Sequence, residues 1–267
     1  MNKSDKNLQL IDTHAHLNMD QFNQDLPEVI EKSAASHVKY IIDIATDLES
    51  SREVIRNCEN YDMVFGAAGI HPHDSGKHNI KDLIELEDLL NHPKIVALGE
   101  TGLDYYYDYS PRPVQKKFFT EQLTLAAERD IPVIIHIREA MKDGLDIIQS
   151  LDTIPRGVFH CYSGTEEDLY EILDLGFYIS FTGVVTFKNF KKQAVVTAVP
   201  MDRLFLETDS PFMTPAPHRG RRNDPSYVHY ILEAIADIRN INEQDLAQAT
   251  TKNAEELFGL SSVSENT

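Results

Sequence analysis

Asp12, His14 and His16 stand at alternate positions after an apolar run that begins at Leu8. On a strand, alternate residues face the same way. Two imidazoles converging there can hold one metal ion, with the Asp12 carboxylate one pleat deeper. By itself the pair is a weak signal: with 11 histidines in 267 residues, chance supplies roughly half of one such pair. A second pair, His71 and His73, is also present. The metal reading gains weight from Glu100, His136, His160 and Asp209, each at or just past the end of an apolar run. Imidazoles and carboxylates together suit hard or borderline divalent ions. Glu100 is the informative member, because a carboxylate has two oxygens and can bridge two metals about 3.5–4 Å apart. The natural partition puts His14, His16, Glu100 and Asp209 on one metal, with Glu100, His136 and His160 on the other. Two carboxylates would then face up to four positive charges, an excess that suits a phosphate substrate better than a neutral amide.

Eight short apolar runs must position these residues: 8–14, 38–44, 63–69, 95–98, 132–135, 158–159, 177–180 and 204–206. Amphipathic segments lie between them, among them 27–36, 48–57, 80–90 and 113–129. The last of these carries Phe119, Leu123, Ala126 and Ala127 at helical spacing. Two apolar stripes follow, Val228, Ile231, Leu232, Ile235 and Ile238, then Leu246, Ala249, Ala254 and Leu257, the second read as a final helix packed on the outside. Eight strands each followed by a helix predict an α/β chain folded as a single (β/α)₈ TIM barrel, covering 1–260, with 261–267 as a disordered tail. An open doubly wound sheet would bring a glycine-rich phosphate turn after an early strand, and here that place holds His-Ala-His. In a barrel, functional residues sit at the C-terminal strand ends, which is where the six candidates fall.

Composition narrows the classes. Two cysteines, Cys58 and Cys161, offer no disulfide framework, so a reducing cytoplasm is expected. Residues 1–7 lack the apolar core of a signal peptide, and no apolar run approaches the roughly 20 residues of a membrane span. No obligate protein partner is predicted. The net charge of −18 argues against non-specific wrapping of nucleic acid. It leaves room for a phosphate substrate, because bound cations and a local arginine cluster can reverse the field in one cleft.

Around the six candidates stand residues with two readings each. His71 and His73 contact substrate or cap a loop, and Arg138 can help to stabilise charge on phosphate oxygens. Arg219, Arg221 and Arg222, and Lys188, Lys191 and Lys192, are phosphate contacts or solvated loops. Tyr105, Tyr106 and Tyr107 stack bases or pack a helix on the barrel. Asp12 and Glu207 hydrogen-bond an imidazole or water, or stabilise the barrel mouth. Cys161 reads as an inert thiol facing away from His160. His37, His78, His92 and His229 fall in or beside helices and read as surface or core residues.

Seven stretches taken in order resemble the TatD family of metal-dependent deoxyribonucleases, within the amidohydrolase superfamily. They are IDTHAHL at 11–17, GIHPH at 69–73, GETGLDYYY at 99–107, PVIIHIRE at 132–139, FHCYSG at 159–164, ETDSPFMTP at 207–215 and PHRGRRNDP at 217–225. The resemblance implies metal ligation by His14, His16, Glu100, His136, His160 and Asp209, with two divalent ions (Mg, Mn or Zn). Glu100 stands where many superfamily relatives carry a carbamylated lysine. The implied activity is hydrolysis of DNA phosphodiesters, in some members as a 3′→5′ exonuclease on single strands, so single-stranded DNA is the expected partner. The expected mechanism is attack by a metal-activated water whose pKa falls from 15.7 toward about 7, with Asp209 as base and Glu100 as bridge. Substrate contacts are expected from His71, His73, Arg138, Arg221 and Arg222. Two other readings remain: the same site hydrolysing an aminoacyl-tRNA ester or a small cyclic amide, and a barrel that binds metal and a partner without turnover.

Overall fold

The computed structural model describes residues 8–260; the expectations for 1–7 and 261–267 lie outside them. Eight parallel strands pair in chain order: β1 (Leu10–Ala15), β2 (Val38–Ile44), β3 (Val64–Ala68), β4 (Ile95–Asp104), β5 (Val133–Arg138), β6 (Gly157–Phe159), β7 (Tyr178–Phe181) and β8 (Leu204–Leu206). Helices lie between successive strands: α1 (Leu26–Ala35), α2 (Leu48–Asn60), α3 (Leu83–Leu89), α4 (Arg112–Glu128), α5 (Met141–Gln149), α6 (Glu166–Asp174) and α7 (Gln193–Ala198). Then α8 (Val228–Arg239) and α9 (Glu243–Phe258) end the described chain. A parallel sheet is covered on both faces, which explains why its strands read as nearly continuous apolar runs.

Closure of the barrel depends on polar residues past the end of β8. Ala15 and Ser210 form a parallel bridge, Asp209 N–H donates to His14 O at 2.9 Å, and His16 N–H donates to Ser210 O at 2.8 Å. Asp12 completes the seam: its carboxyl meets the Thr208 N–H at 2.8 Å and the Thr208 hydroxyl at 2.6 Å. Burial pushes the Asp12 pKa up to about 8. Of its two readings, Asp12 follows the structural one.

Beneath the site lies an apolar cluster that includes Ile42, Ile44, Phe65, Val96, Ile134, Val158 and Phe205. Ile134 precedes His136 by two residues, and Val158 precedes His160 by two, so these apolar side chains share a strand face with the candidate ligands. Ala254, Leu257 and Phe258 of α9 join this cluster, with the Phe258 and Phe205 ring centroids 5.7 Å apart. The last helix therefore does more than cover the outside.

Two strands run further than their apolar patterns. Instead of ending near Leu98, β4 continues to Asp104, and β5 continues to Arg138. Gly99, Glu100, Thr101 and Gly102 end the apolar run while the ladder goes on, pairing Thr101 with Ile135, Gly102 with His136 and Asp104 with Arg138. A side chain at Gly102, where φ is +149°, would collide with the His136 carbonyl. Glu100 thus lies inside a strand, and Asp104 falls on the same extended segment. Among the described residues no helix is long and apolar enough to cross a membrane.

Candidate metal centre

Glu100 sits among five imidazoles, and its two oxygens divide them. On one side, Oε2 is 3.4 Å from His14 Nε2 and 3.7 Å from His16 Nε2. Asp209 Oδ1 closes this side, 3.5 Å from His16 Nε2 and 3.9 Å from His14 Nε2. On the other, Oε1 is 2.8 Å from His136 Nδ1, 2.7 Å from His160 Nε2 and 3.6 Å from His71 Nε2. The six candidate ligands of the sequence are brought together, and His71 joins them. Glu100, His14, His16, His71, His160 and Asp209 are buried, while His136 is partly exposed.

The far side of each ring decides which nitrogen faces inward. His16 Nδ1 lies 2.9 Å from the Ile44 carbonyl, an acceptor only, so it carries the proton and leaves Nε2 as a lone pair. His136 Nε2 lies 3.1 Å from Asp104 Oδ2, which by the same logic frees Nδ1. His160 presents Nε2 inward, with Nδ1 3.5 Å from Glu207 Oε1. His14 stacks on His160 at 4.0 Å between centroids, and its Nδ1 has no hydrogen-bond partner among the described residues. His71 is the exception: its Nδ1 accepts from the His73 N–H at 3.1 Å, so in the neutral ring Nε2 is the donor.

The charges fit this picture. Burial opposes ionisation of Glu100, but His160, His71 and His14, with the His136 hydrogen bond, hold its pKa well below the usual range. Asp209 is likewise kept low against its burial by His16 and His14. Burial also opposes a proton on His160, yet Glu100 and Glu207 raise its pKa well above the ordinary histidine value. His136 is raised by Asp104 and Glu100 against the same burial. Burial lowers His14, and it lowers His71 to about 4 despite Glu100.

This donor set fits divalent cations. Nitrogens 3.2 Å apart in His14 and His16, and 3.0 Å apart in His136 and His160, point at anionic oxygens. Lone pairs so close repel unless a proton or a cation lies among them. His14, His16 and Glu100 form one compact ligand group, and His71, Glu100 and His136 another. A further grouping of His14, His160 and Glu207 falls on the side where Glu207 also accepts from the Cys161 N–H at 2.6 Å. Cys161 itself faces Thr182, and burial pushes its thiol up to about 12.

The remaining candidates separate. His73 Nε2 meets Asp104 Oδ2 at 2.9 Å and so backs the centre through that carboxylate. Arg138 lies over the ring of Tyr106, 3.9 Å from its centroid. Arg222 is fully engaged elsewhere: it grips both Asp25 oxygens, at 2.8 and 2.6 Å, bonds the Gln21 carbonyl and lies over Phe22. It ties the loop after β8 to the start of α1. Arg221 is exposed, and its guanidinium has no partner among the described residues. Arg219 stacks on Phe187 at 3.8 Å. Lys192 binds the carbonyls of Ser163 and Gly164; Lys188 and Lys191 are exposed. Tyr105 packs, its hydroxyl bonding Asp143 at 2.6 Å, whereas Tyr106 and Tyr107 are exposed.

Three residues of the site were absent from the sequence reading. Asp104 alternates with Glu100 and Gly102 on β4, a signal visible only once the strand is extended past its apolar run. Tyr109 packs 4.8 Å from His73, and Phe212 6.1 Å from His16. Both are exposed loop aromatics with no periodic pattern to mark them.

Comparison with known proteins gives the same frame. The family model described as TatD related DNase matches residues 11–259. A Bacillus subtilis protein named as the uncharacterized metal-dependent hydrolase YabD is 43% identical, over 93% of this chain and 98% of that one. A Citrobacter rodentium protein named 3′-5′ ssDNA/RNA exonuclease TatD is 34% identical, over 94% and 98%. The crystal structure of YJJV, a TatD homolog from Escherichia coli K12, superposes with a TM-score of 0.89 at 31% identity, covering 94% of this chain and 98% of that one. This chain belongs to the TatD-related DNase family.

Proposed function

We propose that this chain is a divalent-metal-dependent hydrolase of DNA phosphodiesters, acting on single strands from the 3′ end. The observation that carries the reading is the division of two histidine pairs between the two oxygens of Glu100, with Asp209 beside one pair. Cations held there by His14, His16, Glu100, His136, His160 and Asp209 would supply Lewis acidity and acidify a water. Their number and identity (two of Mg, Mn or Zn) are part of the proposal.

The chain's own groups do the rest. Asp209 is held ionised, so it takes the proton of the attacking water as the new O–P bond forms. The opposite P–O bond breaks, its oxygen takes up a proton from solvent water, and Asp209 returns its proton to solvent. Glu100 stays anionic, the bridge between the halves. His71 remains neutral, with burial holding its pKa down at about 4, and turns its Nε2–H toward a non-bridging phosphate oxygen. His73 acts on His136 through Asp104. Arg221, unpaired at the rim, takes a more distant phosphate, and Arg222 shapes the loop that carries it. The relatives named as ssDNA/RNA exonucleases support a nucleic-acid substrate. The two unpaired thiols support action in the cytoplasm.

Metal-loaded protein should be given end-labelled single-stranded DNA, RNA, duplex DNA and a panel of esters and amides, with Mg²⁺, Mn²⁺ and Zn²⁺ in turn. Stepwise shortening of single-stranded DNA from its 3′ end is the expected result, abolished by chelator. Turnover of an ester or amide with every phosphodiester left intact would overturn the reading.

A further inference from the structure

Beside the metal centre, at the ends of β5 and β6, lies a cavity of about 360 Å³ lined by Tyr106, Arg138, Glu139, Met141, Ser163 and Gly164 among others, Glu139 forming no ion pair with Arg138. That volume is within the usual range of small-molecule sites, roughly 300–1,000 Å³. Arg138 is two residues beyond His136 on β5, and so on the same strand face. Ser163 and Gly164 follow His160. The cavity therefore adjoins the side of the centre served by Glu100 Oε1.

Three features suit it to a nucleotide. Arg138 has no carboxylate partner among the described residues, in a chain of net charge −18. Its guanidinium lies 3.9 Å from the Tyr106 centroid and 4.9 Å from that of Tyr107, an arrangement that orients the fork without neutralising its charge. Tyr106 and Tyr107 are large apolar groups left 54% and 46% exposed. The rings are also fixed relative to the metal centre. Asp104 Oδ1 accepts the N–H of Tyr106 at 3.0 Å and of Tyr107 at 2.9 Å, while Oδ2 meets His136. Lys192 occupies the Ser163 and Gly164 carbonyls, so these acceptors do not compete for Arg138.

We infer that this cavity is the subsite for the nucleotide next to the cleaved phosphate, Arg138 taking its phosphate and Tyr106 its base. The inference rests on the nucleic-acid reading above. It assigns Arg138 to a neighbouring phosphate, not the scissile one. A base stacked on tyrosine must leave its own helix, so the subsite favours unpaired strands, and it tolerates any base because each has a π-face.

The chain contains no tryptophan, so Tyr106→Trp places a sole indole at the cavity rim. Titration with a hydrolysis-resistant phosphorothioate (dT)₄ should quench its emission saturably, and a hairpin-closed, blunt-ended phosphorothioate duplex should not. Arg138→Ala in that background should weaken binding about tenfold and flatten its salt dependence by about one phosphate contact. In kinetics, Tyr106→Ala should raise KM for (dT)₄ roughly tenfold more than for bis(p-nitrophenyl) phosphate, with Tyr106→Phe restoring it. Binding of (dT)₄ with unchanged indole emission would overturn the subsite, as would equal losses on both substrates in folded variants. If the wild type cleaves no phosphodiester while the indole is still quenched, the hydrolytic reading fails and the subsite stands.

Discussion

The two oxygens of Glu100 look onto differently built surroundings. On the Oε2 side, His14 and His16 come from a single strand, and their outward nitrogens find only a backbone carbonyl, that of Ile44, or no partner among the described residues. On the Oε1 side, His136 and His160 come from two strands; Asp104 hydrogen-bonds His136 at 3.1 Å, and Glu207 faces His160 Nδ1 at 3.5 Å, close enough for charge but outside hydrogen-bond geometry. A carboxylate behind an imidazole raises its basicity and fixes its tautomer. One half of the centre is thus held in place by backbone, the other tuned by charge. His136 is also the most exposed of the four rings, its side chain 18% accessible. The difference fits unequal jobs under the proposed function: an enclosed half beside Asp209, the proposed base, and a more open half toward the proposed strand.

The largest effect should come from removing what the halves share. Glu100→Ala should lower metal stoichiometry on both sides and with it abolish most activity, read by metal analysis and steady-state kinetics. Retention of two ions per chain would mean that the halves are independent sites. Next is Asp209→Asn, which keeps the shape and one oxygen donor but removes the proposed base. It should hold most of its metal and substrate affinity while kcat falls by roughly 10²–10⁴. Near-normal kcat in single turnovers of the metal-replete variant would leave Asp209 as a ligand only.

The enclosed half was the more legible in the sequence. His14 and His16 are neighbours in the chain, and the barrel rule brings Asp209 to them across the β1–β8 seam. The open half was legible only in its ligands. Its supporting carboxylate, Asp104, was hidden because Gly99 and Gly102 interrupt the apolar pattern of a strand that the ladder nonetheless continues. Arg222 shows another kind of blindness. Its partner Asp25 is 197 residues away, and nothing local separates an arginine tied at such a distance from one, such as Arg221, left in solvent. The tyrosine run likewise divides on one long contact, Tyr105 to Asp143.

Smaller substitutions should sharpen the contrast between the halves. Asp104→Asn and Glu207→Gln each leave all six proposed ligands in place but withdraw the anion behind one ring. Each should weaken metal binding on the Oε1 side about 10–100-fold, as read by competition with a metallochromic chelator. Asp104→Asn should leave the His14/His16 side nearly unchanged, whereas Glu207→Gln should pass a smaller loss to it, because Glu207 is grouped with His14 as well as His160. Equal weakening of both ions would erase the distinction.

The smallest effect is in protons. With no cation bound, burial opposes a charge on His136 and His160, but the adjoining carboxylates raise the pKa of both. A raised pKa means a proton that is present at lower pH and must leave before a cation can bind. On the Oε2 side burial lowers His14, and only His16 is raised, by Asp209 and Glu100 against its own burial. Metal binding on the Oε1 side should therefore release about one proton more than on the other. Its occupancy should rise more steeply as pH increases from the acid side toward neutrality. Calorimetric titration of chelator-stripped protein in two buffers of different ionisation enthalpy measures the release directly. In Glu207→Gln the excess should shrink, because the anion that helps to hold the His160 proton is gone. An unchanged excess in that variant would assign the proton to Glu100 alone and remove Glu207 from the tuning of the centre.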